Sequence, residues 1–193
     1  MRKQEPNPKV EPATGVVRYG HPALRRKAAA VRKVTPEVLA LADSMIETMG
    51  KTNGVGLAAN QVGVSERVIV LDVGDGPVVL INPQIVKSKG TEKRVEGCLS
   101  LPGLYGEVPR PTHVMVKGLD RTGKVIRIEA EGLLAQALSH ELDHLNGMLF
   151  IDRVDPDTLH WAVGEPNEAG EVPHVPTTKE EALRVFSSRP TEG

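Results

Sequence analysis

Apolar residues recur at helical spacing early in the chain, with Leu39, Ala42, Met45, Ile46 and Met49 falling on one face. Thr35 is a capping residue type, Pro36 suits a first turn, and Glu37 favours the positive end of a helix dipole. With Gly50 to stop the run, the pattern predicts a helix over 35–49. The period then changes. RVIVLDV (67–73) and VVLIN (78–82) read as strands around a Gly-Asp-Gly-Pro turn, and IVKSKG alternates weakly after them. HVMVKGLD (113–120) and KVIRIEA (124–130) alternate more clearly around Arg121-Thr122-Gly123, which predicts a hairpin. A second long helix is expected from about Glu131 to Asn146, with Gly147 to terminate it.

The flanks carry a different pattern. Residues 1–15 are polar and Pro-rich and are expected to form a disordered N-terminal arm. Beyond Asp155, residues 156–176 are rich in Pro, Gly and Glu without periodicity, and TTKEEALRVF (177–186) has the spacing of a short helix. The expected organisation is therefore one domain over 16–155 with an irregular C-terminal extension over 156–193. No internal repeat interrupts it. The fold class is α+β: mostly antiparallel sheet, an N-terminal helix before it, and a C-terminal helix around which the sheets pack.

Composition narrows the function classes. The chain has 193 residues, 39% hydrophobic and 25% charged, enough for one sizeable core. Aromatics make up only 3%, so that core must be aliphatic. A net charge of −1 gives no electrostatic footprint for nucleic acid or anionic lipid, and Arg25-Arg26-Lys27 reads as a solvated run. The single cysteine, Cys98, rules out an intramolecular disulfide and fits a reducing compartment. No apolar run approaches the roughly 18 residues that span a bilayer. The first residues, MRKQEPNPKVEPATG, lack a signal-peptide core, so a cytoplasmic location is expected.

The sharpest local signal is His140-Glu141-Leu142-Asp143-His144, an H-E-x-x-H pattern inside the second predicted helix. Histidines four apart share a helix face, so both imidazoles can reach one ion while the intervening glutamate reaches a water beside it. The bland alternative is a helix with two unrelated histidines and a solvated glutamate. A catalytic site of this kind takes three protein ligands and leaves one position open. An H-x-x-G-x-x-H continuation fails because Phe150 stands at the final position. A downstream glutamate is available in Glu165 or Glu168, but both fall in the Pro- and Gly-rich extension. The third candidate is Cys98 in EGCLSLPG (96–103), flanked by Gly and Ser at a strand-to-loop transition. A lone cysteine is otherwise a small core residue.

Three segments in order, GVGLAANQ (54–61), EGCLSLPG (96–103) and SHELDHLNG (139–147), resemble the three signature motifs of the peptide deformylase family. The resemblance runs from about Arg18 to Val154 and takes in RYGHPALRRKA, LINP and LDRTGK. It implies a metal-dependent hydrolase that removes the formyl group from the N-terminal formylmethionine of new polypeptides, acting at the ribosome as a monomer. It implies Cys98, His140 and His144 as metal ligands and Glu141 as the general acid/base. Gln61 and the backbone N–H of Leu99 resemble the oxyanion-binding pair, and Gly56 resembles a backbone contact to substrate. Val55, Leu133 and Ala137 resemble positions lining the methionine pocket, with simple core packing as the alternative. Glu96 and Arg110 resemble a charge pair that fixes the cysteine loop.

For the cofactor the resemblance implies one divalent ion, Fe(II) in the cell, while thiolate plus imidazole also suits zinc, nickel or cobalt. Departures from the family pattern stand at Tyr105, where some members carry arginine, at Gln136, and at Ser139. The tail lacks the long charged terminal helix of some members. Two other functions remain on sequence grounds: an H-E-x-x-H metallopeptidase using Glu165 as third ligand, and a non-catalytic metal-binding relative.

Overall fold

The first helix forms where its apolar stripe predicts. In the computed structural model, which describes residues 15–52, 54–164 and 172–188, helix α1 spans Pro36–Lys51 and buries Val38, Leu41, Ala42, Met45 and Met49. It passes through Gly50 without stopping. The end is set instead by Thr52, whose N–H and hydroxyl both donate to the carbonyls of Thr48 and Met49.

A five-stranded sheet follows the order β1-β2-β3-β6-β7, with β1 at Gly56–Ala58, β2 at Val68–Leu71, β3 at Val78–Lys89, β6 at His113–Leu119 and β7 at Val125–Glu131. Each neighbouring pair is antiparallel. The predicted hairpin is β6–β7. β3 is longer than the alternation suggests, because Asn82 adopts a positive φ of 53° and the register against β6 shifts between Ile81 and Gln84. Such a bulge breaks the period-two pattern. Asn82 is held there by its side-chain amide, which bonds both the N–H and the C=O of Val31 at 2.8 Å.

All four residues of β2 are buried, and the reason is two-sided packing. Ile69 and Leu71 join Leu80, Val116, Leu138, Leu142 and Leu145 in one cluster under helix α2 (Gly132–Leu145). Val68 and Val70 join Leu41, Met45, Met49, Val79 and Ile81 in another under α1. The sheet is thus sandwiched between the two helices. Among the largest fully buried side chains of the described residues, Phe150 is the one aromatic, so the core is aliphatic as composition requires.

The second sheet has four strands in the order β4-β5-β8-β9: β4 at Glu92–Cys98, β5 at Leu101–Arg110, β8 at His160–Ala162 and β9 at His174–Pro176. Here the structure corrects the sequence reading. The stretch after Asp155, expected to be irregular, supplies two strands: β8 pairs onto β5, with Leu104 opposite Trp161 and Tyr105 opposite His160, and β9 pairs onto β8. Strands of three residues are too short to show a period. The expected short helix is present as α3 (Lys179–Ser187), opened by a reciprocal cap between Thr178 and Glu181. Its Phe186 packs against Trp161 and Tyr19, with ring centroids 5.4 and 6.1 Å away. The expected N-terminal arm and the extension residues 165–171 and 189–193 lie outside the described residues. No helix among the described residues is long and apolar enough to cross a membrane.

Phe186 is 5% exposed, so Phe186→Ala is expected to lower unfolding free energy by about 3–5 kcal/mol in urea titrations. A loss below about 1 kcal/mol would mean that α3 rests on the domain without stabilising it.

Candidate metal centre

Two elements that are remote in sequence meet at one point. Cys98 is the last residue of β4, where the register against β5 slips between Gly97 and Cys98 and a Leu99-Ser100 turn begins. Helix α2 brings His140 and His144 to the same spot, one turn apart. Cys98 Sγ lies 3.3 Å from His144 Nε2, which lies 3.2 Å from His140 Nε2. One ligand atom from each of the three residues falls within 4.8 Å of the others.

The donor set fits a divalent cation. Ligands about 2.0–2.3 Å from a shared ion at tetrahedral angles stand about 3.3–3.7 Å apart, close to the spacings found. Two Nε2 atoms at 3.2 Å cannot both carry protons, so at least one lone pair faces the gap. Burial works to lower the pKa of His140, but hydrogen bonding to Cys98 and Glu96, with the charges of Cys98 and Glu141, raises it well above the ordinary value. His144 is held well below, first by burial and then by the charge on His140.

A buried ion network orients the first ligand. Glu96 accepts from Arg110 Nε at 2.7 Å and Nη2 at 2.8 Å. Its Oε2 also accepts from His140 Nδ1 at 2.9 Å. That bond fixes the ring and aims Nε2 toward Cys98 and His144. Arg110 Nη1 donates to Asp143 at 2.6 Å, and Arg153 donates to the same carboxylate at 2.7 and 3.0 Å. Burial tends to raise the Glu96 pKa, but the hydrogen bonds from Arg110 and His140 outweigh it and bring it to about 2. Asp143 and Arg153 were not identified from sequence. Asp143 stands at an unassigned position of H-E-x-x-H, and nothing in local pattern pairs it with either arginine.

Beside the trio runs a cleft of about 560 Å³, lined by Gln61, Cys98, Leu99, His140 and Glu141, with Val55, Gly56, Leu133 and Ala137 around them. Every residue singled out by sequence for catalysis or substrate binding therefore reaches one cavity. His144 lies buried behind it. Val55 and Leu133 sit half-exposed on the rim, whereas Ala137 is buried.

Glu141 is 4% exposed, and its Oε2 has no hydrogen-bond partner among the described residues. Burial above all pushes its pKa up to about 7; the Glu96 charge adds to this, while His140 and Arg110 oppose it. Gly56 makes room for it. A Cβ at Gly56 would stand 3.0 Å from the Glu141 Cδ and Cγ atoms and closer still to Oε1. Gln61 is held by the Ala58 N–H, which donates to its Oε1 at 2.9 Å. Its Nε2 is thereby turned to Ser100 Oγ at 3.4 Å and Cys98 Sγ at 3.6 Å. The alternative ligands Glu165 and Glu168 lie outside the described residues.

The network has a pH signature. Because the folded Glu96 pKa lies near 2, below that of an unpaired carboxyl, its stabilisation is present above about pH 4.5 and is lost as pH falls toward 2. Urea titrations of wild type and Glu96→Gln across this range are expected to differ by on the order of 3 kcal/mol at neutral pH and to converge below about pH 2. Parallel curves across that range would contradict the assignment.

Comparison with known proteins agrees with this geometry. The family described as polypeptide deformylase matches residues 13–159. A peptide deformylase from Carboxydothermus hydrogenoformans is 54% identical over 140 residues, covering 72% of this chain and 92% of that protein. Among solved structures, a peptide deformylase from Legionella pneumophila superimposes with a TM-score of 0.71 at 44% identity, covering 73% of this chain and 85% of that one. One from Synechococcus elongatus, in complex with actinonin, gives 0.72 at 42% identity, covering 75% and 82%. With most of its length matched by the family and by relatives of this similarity, the chain belongs to the polypeptide deformylase family.

Proposed function

We propose that the chain is a metal-dependent enzyme that hydrolyses the formyl group from the N-terminal formylmethionine of nascent polypeptides. The observation that carries this reading is the meeting of Cys98, His140 and His144 beside the unpartnered, buried carboxylate of Glu141 on one cleft. In this reading α2 is the metal-holding helix around which the two sheets are arranged. Cys98 Sγ and the Nε2 atoms of both histidines hold the ion. When bound, a divalent ion supplies Lewis acidity, lowering the pKa of water from 15.7 toward about 7–9 and polarising the carbonyl.

The remaining steps fall to the protein. Glu141 accepts the proton of the attacking water at its carboxylate and delivers it to the departing amine as the C–N bond breaks, leaving formate and a free N-terminus. A carboxyl whose pKa lies near neutrality is suited to both transfers. Gln61, with its amide N–H groups turned into the cleft by the Ala58 clamp, donates to the formyl oxygen as charge builds there, and the Leu99 N–H is the second donor. Gly56 presents main chain to the peptide and clears space for Glu141. Val55, Leu133 and Ala137 receive the methionine side chain.

Fe(II) is the ion we expect in the cell. Thiolate and imidazole equally suit zinc, nickel or cobalt, and an iron-thiolate site would be oxygen-sensitive through Cys98. A cytoplasmic monomer acting at the ribosome is the simplest setting for such a substrate.

Formate release from a formyl-Met dipeptide, with protein loaded anaerobically with Fe(II) or with zinc, tests the reaction; absence of formate from both forms would overturn it. Glu141→Ala is expected to retain the metal and lose roughly 100-fold or more in kcat. Near-normal turnover in that variant would assign the proton transfers elsewhere. Metal content measured by atomic emission should fall sharply in Cys98→Ala and stay unchanged in Glu165→Ala, with the opposite result pointing to a metallopeptidase-type site.

A further inference from the structure

The family match ends at residue 159, and β8 begins at His160. What lies beyond is attached to the cleft. Tyr105 lines the cleft from β5, and its ring lies across Gly97 of β4, where a Cβ would come within 2.5 Å of the ring. On its other side Tyr105 is directly opposite His160 in the β5–β8 register. Their rings stack at 6.1 Å with an interplanar angle of 20°. His160 in turn lies 5.0 Å from His174 on β9.

Two features hold this row in place. The Nδ1–H of His160 donates to the Thr158 carbonyl at 2.8 Å, which fixes the ring. The next residue, Trp161, points to the opposite face of the strand, where Phe186 of α3 packs on it at 5.4 Å. Tyr105 is 37% exposed and His174 is also exposed, so the row borders solvent. Val95, beside it on β4, lines the same cleft and is 55% exposed. The row starts in the cleft and crosses two strand spacings, about 10 Å, the length of about three extended residues.

Resting on the deformylase reading, we infer that the β8–β9 extension lengthens the peptide path. The rings of Tyr105, His160 and His174 form a shelf that binds the substrate's third and fourth residues, with His160 as the residue that positions Tyr105. Partly exposed aromatic rings, which take aromatic partners edge-on or offset and cations over any free face, favour planar side chains, aromatic or guanidinium, over glycine at those positions.

The test compares the full-length, metal-loaded enzyme with His160→Ala, His160→Phe and His174→Ala. Substrates are a formyl-Met dipeptide and formyl-Met tetrapeptides carrying Phe, Arg or Gly at positions three and four. Wild type is expected to show a KM about 2- to 10-fold lower for the Phe or Arg tetrapeptides than for the Gly tetrapeptide. His160→Ala should lose most of that preference through KM rather than kcat, and His160→Phe should restore it for Phe. A preference that survives in His160→Ala, or is lost in kcat alone, overturns the proposal. Should His160→Ala fail to fold, His174→Ala decides, because its side chain is exposed: a narrowed preference supports the shelf and an unchanged one refutes it. Dipeptide turnover without any planar preference in wild type removes the shelf and leaves the deformylase reading standing. No dipeptide turnover removes both.

Discussion

A carboxylate sealed inside a protein is costly unless its charge is answered, and Glu96 is answered from two sides at once. Arg110 grips it with two nitrogens, and His140 donates to the same group at 2.9 Å. The His140 contact helps join the second sheet to helix α2. Arg110 comes from the end of β5, Glu96 from β4, and His140 from the helix, while Asp143 returns the arginine to α2 one turn later. Replacing such a pair with apolar side chains of similar size often costs little stability. Here Glu96 also decides which nitrogen of His140 faces Cys98 and His144. The geometry of the metal centre is therefore tied to the docking of sheet on helix.

The other side of the cleft depends on backbone closeness. β1 runs past Glu141 without a side chain at Gly56, and a 3₁₀ turn over Ala59–Val62 immediately follows. That turn sets Gln61 with its oxygen spent on the Ala58 N–H, so the amide N–H groups are what remains for the cavity. Asn60, in the same turn, is buried and donates to the carbonyls of Ala23 and Arg26, anchoring the turn to the N-terminal segment. A stretch of four residues, 58–61, thus carries an amide donor, its brace and its anchor.

How much of this could be read in advance follows from the range of each interaction. Helices α1 and α2 and the β6–β7 hairpin were legible because their signals repeat within a few residues. β4 and β5 were not, since Gly97, Pro102, Gly103, Gly106 and Pro109 disguise them as loop. The histidine pair announced itself by spacing along a helix. Cys98 did not, and only its resemblance to a family motif linked it to those rings. Asp143 and Arg153 were invisible because an ion pair across a fold leaves no trace in local periodicity. The extension was misread for a different reason: its strands exist by pairing, β8 to β5 and β9 to β8, and alone they would have no pattern to display.

The place where β8 attaches has a meaning beyond substrate. A ten-residue strand such as β5, left with one side open, offers unpaired amides to any passing chain and invites sheet-to-sheet association. In this molecule Leu104 and Tyr105 are paired to β8, the Glu107 N–H is taken by Thr158 and the Glu107 carbonyl by Asp155. The new border, β9, is three residues long and ends at Pro176, which has no N–H to give. Among the described residues, the tail thus moves the margin of the sheet to a strand poorly equipped to recruit a neighbour, and it does so with the same residues that border the cleft.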